Sequence, residues 1–108
     1  MPEWARFQKW VARNLGKAGL KARCNSQAHS GLGNPDVSCE PWFIECKSYE
    51  SKKPDIQKAI MQAKLDAINN PDAIPVAITK FKGDKPVVSM DFDTFVQVAK
   101  LLKEKRHD

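Results

Sequence analysis

Two short segments with the alternation of β-strands lie next to each other in the sequence, separated by Pro41. Residues 36–40 alternate between polar and apolar side chains, and the apolar-rich segment 42–47 follows directly. Such alternation places successive side chains on opposite faces of a sheet, so the two segments predict an antiparallel hairpin. Because Pro41 cannot adopt the positive φ of a primed two-residue turn, we expect a slightly longer turn and leave the register open.

Helical and strand patterns surround this hairpin. Apolar residues at spacings of three and four indicate a helix over residues 3–18, ended by Gly16 and Gly19. Its apolar stripe consists of Trp4, Phe7, Val11, Leu15 and Ala18. The order α-β-β-β-α-β-β-α predicts an α/β fold, a mixed sheet flanked by helices with a C-terminal strand and helix. The other predicted elements are strands over 20–26, 73–80 and 85–90, a helix over 54–69 with Pro54 in its first turn, and a last helix capped by Asp91 or Asp93.

The composition limits the class of protein. The chain has 108 residues, of which 42% are hydrophobic and 29% charged, which is typical of one folded domain over residues 1–108. No apolar run approaches the ~18 residues of a membrane span, and the start lacks a signal-peptide pattern. Cys24, Cys39 and Cys46 form no CxxC pair and no even set, which favours buried free thiols in the reducing cytoplasm.

A row of cations lies on one stripe of the first predicted helix, roughly 160–220° from its apolar stripe. It consists of Arg6, Lys9, Arg13 and Lys17, with no acid among them. The whole chain carries 18 Lys and Arg against 13 Asp and Glu, a formal charge of +5. Such a row suits the phosphates of a polyanion, although a solvated helix face is the alternative explanation.

Three charged residues, Asp36, Glu45 and Lys47, lie in the predicted hairpin where apolar side chains are expected. Glu45 and Lys47 are two residues apart and share one face of their strand. If Val37 and Cys39 match the buried face of that strand, Asp36 falls on the polar face as well. Two acids about 5–8 Å apart at Cβ repel each other unless a cation lies between them, and their oxygens suit Mg²⁺ or Mn²⁺. The alternative is a solvent-exposed strand face with an ion pair between Glu45 and Lys47.

Pro35-Asp36, followed after eight residues by Glu45-Cys46-Lys47, resembles the PD-(D/E)xK signature of a nuclease superfamily. The surroundings match as well, because a basic helix and a strand precede the motif, the Ser30-Gly31 loop leads into it, and Gln62-Ala63 lies on the next helix. Together they are similar to the small Holliday-junction resolvase-like endonucleases of phages and archaea. The resemblance implies a restriction-endonuclease-like α-β-β-β-α-β core and Mg²⁺-dependent hydrolysis of phosphodiester bonds in branched DNA.

The resemblance also implies roles for the matching residues. Asp36 and Glu45 would ligate Mg²⁺ or Mn²⁺, helped by the backbone carbonyl of Cys46. Lys47 would orient or activate the attacking water, and Gln62 would extend the site from the helix. The metal would neutralise the phosphate and acidify a water molecule, while Lys47 would offset charge in the transition state.

The first helix departs from the family pattern. Many resolvases of this type carry a glutamate there that completes the metal site, whereas the acid in this helix is Glu3, at its start. By its distance from the glycine that ends the helix, Gln8 is the other candidate. Either Glu3 reaches the site, or Gln8 binds through a water, or the protein supplies fewer ligands. A plain acid at a helix N-terminus and a polar residue on a solvated face remain the alternatives for Glu3 and Gln62.

DNA would be held through its phosphates, which gives affinity without base readout. Ser30 would lie near the scissile phosphate, and His29 could contact a phosphate or protonate a leaving group, or be an ordinary loop histidine. The residues expected to contact DNA are Arg6, Lys9, Arg13, Lys17, Lys21, Arg23, His29, Ser30, Lys52 and Lys53.

The resemblance implies a homodimer, because resolvases cut a four-way junction symmetrically at two sites. Trp10 or the apolar face of the last helix could supply the contact.

No phosphate-binding loop indicates a nucleotide cofactor, and we expect a cytoplasmic protein, in the host cytoplasm if it is phage-encoded. Three alternatives remain: a related nuclease acting on flaps, ends or duplex DNA, a non-catalytic DNA-binding module with the same fold, and a protein-interacting domain that leaves the acids unexplained.

Overall fold

A computed structural model describes residues 1–25 and 33–106 of the chain. The predicted order of helices and strands is confirmed, with modest changes at the element ends. In chain order the elements are α1 (Glu3–Lys17), β1 (Arg23–Cys24), β2 (Val37–Cys39), β3 (Trp42–Tyr49), α2 (Ile56–Asp66), β4 (Ile74–Phe81), β5 (Val87–Ser89) and α3 (Phe92–Arg106).

The five strands form one mixed sheet in the order β1-β2-β3-β4-β5. The central strand β3 pairs antiparallel with β2 and parallel with β4, and the other pairs are antiparallel. Parallel neighbours need a crossover connection, and helix α2 supplies it between β3 and β4. The predicted α/β class, with a mixed sheet flanked by helices and a C-terminal strand and helix, is therefore confirmed.

Helix α1 covers one face of the sheet. Phe7 and Val11 from its apolar stripe are buried and pack in one cluster with Ile44 and Cys46 of β3. The stripe is narrower than predicted, since Trp4 is exposed and Ala18 lies beyond the helix at its C-cap.

Two of the three cysteines are buried, as expected for small apolar residues. Cys39 and Cys46 are buried free thiols, whereas Cys24 is only half-buried. Burial raises the pKa of all three thiols, which keeps them protonated at neutral pH.

Helix α2 covers the opposite face of the sheet. Ala59 and Ile60 pack against Ala77 of β4, and the small side chains of Ala59 and Ala63 let the helix lie close to the strands. The helix begins at Ile56 rather than at the predicted Pro54. Its N-cap is Asp55, whose carboxylate accepts a hydrogen bond from the backbone N–H of Lys58 at 3.0 Å.

Strand β1 is much shorter than the predicted 20–26. Leu20 is still part of the turn that ends α1, because its backbone N–H donates to the carbonyl of Leu15. At the other end Asn25 leaves the strand pattern, and its side-chain amide donates to the carbonyl of Pro35 at 2.7 Å and to Ser38 Oγ at 2.9 Å. The regular strand is thus limited to Arg23–Cys24, although the backbone N–H of Asn25 still donates to the carbonyl of Asp36 at 3.0 Å.

The hairpin between β2 and β3 is confirmed, but the expectation of a longer turn is wrong. Cys39 pairs with Trp42, so the turn has only two residues, Glu40 and Pro41, joined by a cis peptide bond. A cis proline at the second turn position closes a tight turn without the positive φ of the primed turns.

Helix α3 begins after Asp91, the first of the two predicted caps. Its Oδ1 accepts from the backbone N–H of Thr94 at 2.8 Å, and its Oδ2 lies 2.6 Å from Nζ of Lys64 on α2. Phe92 and Phe95 on this helix are exposed and lie stacked with ring centroids 6.4 Å apart. Among residues 1–25 and 33–106, no helix is long and apolar enough to cross a membrane.

Candidate metal site

The sheet register brings Asp36 and Glu45 together. Val37 pairs with Ile44, which places Asp36 beside Glu45 on the face that α2 covers, because Glu45 neighbours Ala77 on that face. Both acids are buried, with 8% of Asp36 and 4% of Glu45 exposed. Two carboxyl groups from adjacent strands therefore meet beneath a helix.

Strand β3 holds the Asp36 carboxylate in place. The backbone N–H of Cys46 donates to Asp36 Oδ2 at 2.9 Å, and the backbone N–H of Asp36 donates to the carbonyl of Ile44 at 2.9 Å. The contact of Cys46 is thus made by its N–H, and the ligand role of its carbonyl remains a prediction.

The surroundings of the two acids favour their protonated, neutral forms. Burial raises the pKa of Asp36, and burial together with the nearby Asp36 charge raises the pKa of Glu45 to about 9. The Oε1 atom of Glu45 is buried and has no hydrogen-bond partner within the described residues. Such an atom costs free energy unless it meets a proton or a cation.

Lys47 lies at the solvent side of this pair. Its side chain is exposed, and its positive charge lowers the pKa of both Asp36 and Glu45. The alternative of a solvent-exposed strand face is wrong, since Glu45 is 4% exposed. The arrangement is a buried pair of acids with an exposed cation at its edge.

A third acid, Asp66, escaped the sequence analysis. It is the last residue of α2, is 4% exposed, and is close enough to Glu45 to raise the pKa of that carboxyl group. A signal was present in the sequence, because Asp66 follows Ala59 and Ala63 at the helical spacing of the buried stripe. An acid at a position of that buried stripe is unusual.

Gln62 reaches the acids indirectly. Its backbone lies one turn before Asp66 on α2, and its Nε2 donates to both carboxylate oxygens of Asp66 at 3.0 Å. The role of Gln62 in extending the site from the second helix remains a prediction, and the contact that the structure shows for its side chain is with Asp66.

Neither candidate from the first helix is bonded to the acids. Glu3 is exposed at the start of α1. Gln8 is 7% exposed, and its Oε1 accepts from the thiol of Cys24 at 3.7 Å. Cys24 pairs with Val37, so this contact lies on the α1 side of the sheet, away from the face of Glu45.

The predicted DNA-contacting cations are exposed where the structure describes them. They fall into two groups, one on α1 and the segment that follows it, the other in the segment between β3 and α2. The first group comprises Arg6, Lys9, Arg13, Lys17, Lys21 and Arg23, and the second comprises Lys52 and Lys53. His29 and Ser30 lie outside the described residues.

The residues present fit a hydrated divalent cation better than a fully enclosed one. In the two described ranges, no group of three or more His, Cys, Asp or Glu side chains is arranged as a metal site. Mg²⁺ is commonly held through one or two carboxylates while it keeps several waters. Asp36 and Glu45 supply such carboxylates, and the unpartnered Oε1 of Glu45 offers a free oxygen.

Comparison with known proteins bears on the fold of the chain. No profile of a protein family and no curated protein matches the chain. Among solved structures, the fold is similar to that of Archaeoglobus fulgidus Hjc, a Holliday junction resolvase from an archaeal hyperthermophile. The TM-score is 0.53 with 18% sequence identity, over 78% of this chain and 74% of that one. At this identity the similarity establishes the fold: the chain has the α/β architecture of a Holliday junction resolvase.

Proposed function

We propose that this protein is a Mg²⁺-dependent DNA endonuclease of the resolvase kind, which hydrolyses phosphodiester bonds in branched DNA. The observation that carries the proposal is the buried contact of Asp36 with Glu45, one oxygen of which has no partner. This pair occurs on a fold similar to that of a Holliday junction resolvase. An otherwise costly concentration of negative charge is typical of a site that receives a cation.

Each residue of the pair has a definite task in this proposal. Asp36, fixed by the N–H of Cys46, and Glu45, with its free Oε1, would hold Mg²⁺ or Mn²⁺. The chemistry that such an ion supplies when bound is polarisation of a phosphate oxygen and acidification of water.

Lys47 would act from the solvent side of the acids. Its ammonium group is exposed and influences both carboxyl groups, so it can donate hydrogen bonds to a phosphate oxygen or orient the attacking water. The Lys47 side chain is long and flexible and has three N–H donors. It therefore suits a site in which the attacking water and the leaving oxygen lie on opposite sides of the phosphorus atom.

DNA would bind through the exposed cations of α1 and the pair Lys52 and Lys53. Both groups are exposed, so they are available to the phosphates of DNA. We further propose a homodimer, with either Trp10 or the exposed Phe92 and Phe95 of α3 at the contact.

The proposal is tested with purified protein and a labelled four-way junction, a flap, a linear duplex and single-stranded ends, each with Mg²⁺ and with a chelator. We expect paired, Mg²⁺-dependent cuts in the junction and much slower cutting of the linear duplex. Preference for flaps or ends would identify a related nuclease, and no cleavage of any DNA with Mg²⁺ or Mn²⁺ would contradict an endonuclease. Light scattering of the same sample measures the oligomeric mass.

A non-catalytic DNA-binding module is the second candidate. It is favoured by the structure of α1, because neither candidate ligand of this helix is bonded to the acids. Gln8 is bonded to Cys24, and Glu3 is exposed at the helix start. Titration calorimetry with Mn²⁺ separates the candidates, because a binding module without the metal would give no heat from the wild-type protein while still binding the junction.

A further inference from the structure

Trp10 presents an aromatic ring at the surface of helix α1. The residue is 43% exposed, and its indole ring lies stacked on the buried Phe7, with ring centroids 6.2 Å apart and an angle of 16° between the planes. Phe7 belongs to the core beneath the helix, so it supports the ring from one side and leaves the rest of the indole in solvent. A flat apolar surface that is already held in place loses little conformational entropy when a ligand stacks on it.

Cations of α1 flank this ring. Residues three and four apart are neighbours on a helix surface, so Trp10 lies next to Arg6 and Arg13. Lys17 follows one turn beyond Arg13 on the same side. All three cations are exposed, and the acid of this helix, Glu3, lies at its start. An aromatic ring among cations is typical of surfaces that bind nucleic-acid strands, where cations contact phosphates and rings stack on bases.

The same charges disfavour a second copy of the chain as the partner of this surface. A contact about a twofold axis joins the same patch of both subunits, so it would bring two rows of cations together. Like charges that meet in an interface cost free energy. A polyanion therefore complements the surface around Trp10, and the exposed Phe92 and Phe95 of α3 remain the candidates for a dimer contact.

The form of the DNA follows from where an indole ring can reach a base. The bases of a straight duplex are stacked inside it, so a side chain stacks on them only where a strand is unpaired or a duplex ends. Helix α1 packs on Ile44 and Cys46, whereas Glu45, between them, projects to the opposite face of the sheet. The surface around Trp10 therefore suits a part of the substrate other than the scissile phosphate.

We propose that Trp10 stacks on an unpaired base of bound DNA, while the neighbouring cations Arg6 and Arg13 contact phosphates of the same strand. The inference rests on the proposed function and adds to it the feature of branched DNA that this surface recognises, which is a base left unpaired near the branch. The α1 cations alone would bind any DNA, because phosphate contacts carry no information on pairing. The ring makes the surface selective for unpaired strands.

The test compares Trp10→Leu with Trp4→Leu, a matched change at the other exposed tryptophan of α1, which lies away from the row of cations. Fluorescence anisotropy measures the affinity of both variants for a labelled oligothymidylate and for a blunt duplex with the same number of phosphates. We expect Trp10→Leu to weaken oligothymidylate binding by about 5-fold or more, because the stacking of a base is lost, and to change duplex binding little. Trp4→Leu should leave both affinities at their wild-type values.

Two further variants separate stacking from charge and from folding. Trp10→Leu should keep the wild-type slope of log K against log salt concentration, because it removes no phosphate contact. Arg13→Ala should lower that slope by about 0.7 for the single strand. Trp10→Phe retains a ring and should keep most of the affinity, and urea denaturation shows whether each variant is folded.

The outcomes distinguish this inference from the proposed function. The role of Trp10 alone is overturned if Trp10→Leu binds oligothymidylate as tightly as the wild type, or if the wild type binds the junction but not oligothymidylate. An equal loss for single strand and duplex would also overturn it, since stacking would not be the cause. If light scattering gave a dimer for the wild type and a monomer for Trp10→Leu, the ring would belong to a contact between copies. Failure of the wild type to bind any DNA would overturn the proposed function as well.

Discussion

Asp66 at the end of α2 lies close enough to Glu45 on β3 to raise the pKa of its carboxyl group. The two residues belong to elements that meet only because the α2 crossover lies over the face of the sheet that carries Glu45. With Asp36 on the neighbouring strand, they form a buried acidic cluster whose exposed edge carries Lys47. Several measurable properties of the protein follow from this cluster.

The stability of the metal-free protein should fall as pH rises. The pKa of Glu45 is about 9 in the folded protein against an ordinary value of 4.5, so between these values the folded state binds more protons than the unfolded state. The raised pKa of Asp36 acts in the same direction. Urea midpoints with a chelator should therefore be higher at about pH 5.5 than at about pH 8.5. Glu45→Gln should flatten the dependence and Asp84→Asn should not, and a midpoint that rises with pH would contradict the cluster.

Divalent cations should restore the stability that the metal-free protein loses as pH rises. Mn²⁺ or Mg²⁺ competes with protons for the acids, so the rise in Tm on adding the ion should be larger at about pH 8.5 than at about pH 5.5. At a concentration 100 times Kd the stabilisation should be about 2.7 kcal/mol, and excess EDTA should remove it. Thermal denaturation of the wild type and of Asp36→Asn measures the effect. An equal rise in Tm for both proteins would place the ion elsewhere.

The cap of α3 should contribute to stability independently of the site. Asp91 accepts from the N–H of Thr94, and the hydrogen bond from Lys64 lowers the pKa of Asp91 to about 2, so the cap is ionised at neutral pH. Asp91→Ala should lower the free energy of unfolding by about 1 kcal/mol. Asp93→Ala removes a first-turn acid that is not the cap and should cost less. If urea denaturation gave the same loss of unfolding free energy for Asp91→Ala and Asp93→Ala, the stabilisation would not come from a cap at Asp91.

The cations of α1 should determine the salt dependence of DNA binding. Each phosphate contact contributes about 0.9 to the slope of log K against log salt concentration, so Arg13→Ala should reduce the slope by about that amount. Lys100→Ala removes an exposed cation from α3 and serves as the control. Fluorescence anisotropy with a labelled junction over a range of salt concentrations gives both slopes. Identical slopes for the two variants would remove Arg13 from the interface.

The common face of Asp36 and Glu45 could be predicted because it depends only on strand alternation. Val37 and Cys39 identify the buried side of β2, and the parity of the pairing fixes the rest. That is why the wrong expectation of a longer turn did not affect the placement of the acids. The turn itself, with only Glu40 and Pro41 between the paired Cys39 and Trp42, was not predicted.

The position of Asp66 could not be obtained by the same reasoning. Its burial depends on how close α2 lies to the sheet and on the path of the chain near Gly33, which are tertiary properties. The separation of Gln8 from the acids is also tertiary, since it follows from the packing of α1 on the other face. The apolar face of the last helix was offered as a dimer contact, and the structure shows that Phe92 and Phe95 on this helix are exposed.

Single-turnover cleavage of a four-way DNA junction in Mg²⁺, measured together with junction affinity, tests the role of the acidic cluster most directly. Wild-type protein and Asp84→Asn, which changes an exposed acid in the turn after β4, should cleave at the same rate. Asp36→Asn, Glu45→Gln and Lys47→Ala should each bind the junction with nearly wild-type affinity but lose cleavage by at least about 100-fold. Undiminished cleavage by Asp36→Asn and Glu45→Gln would contradict a nuclease site at these residues.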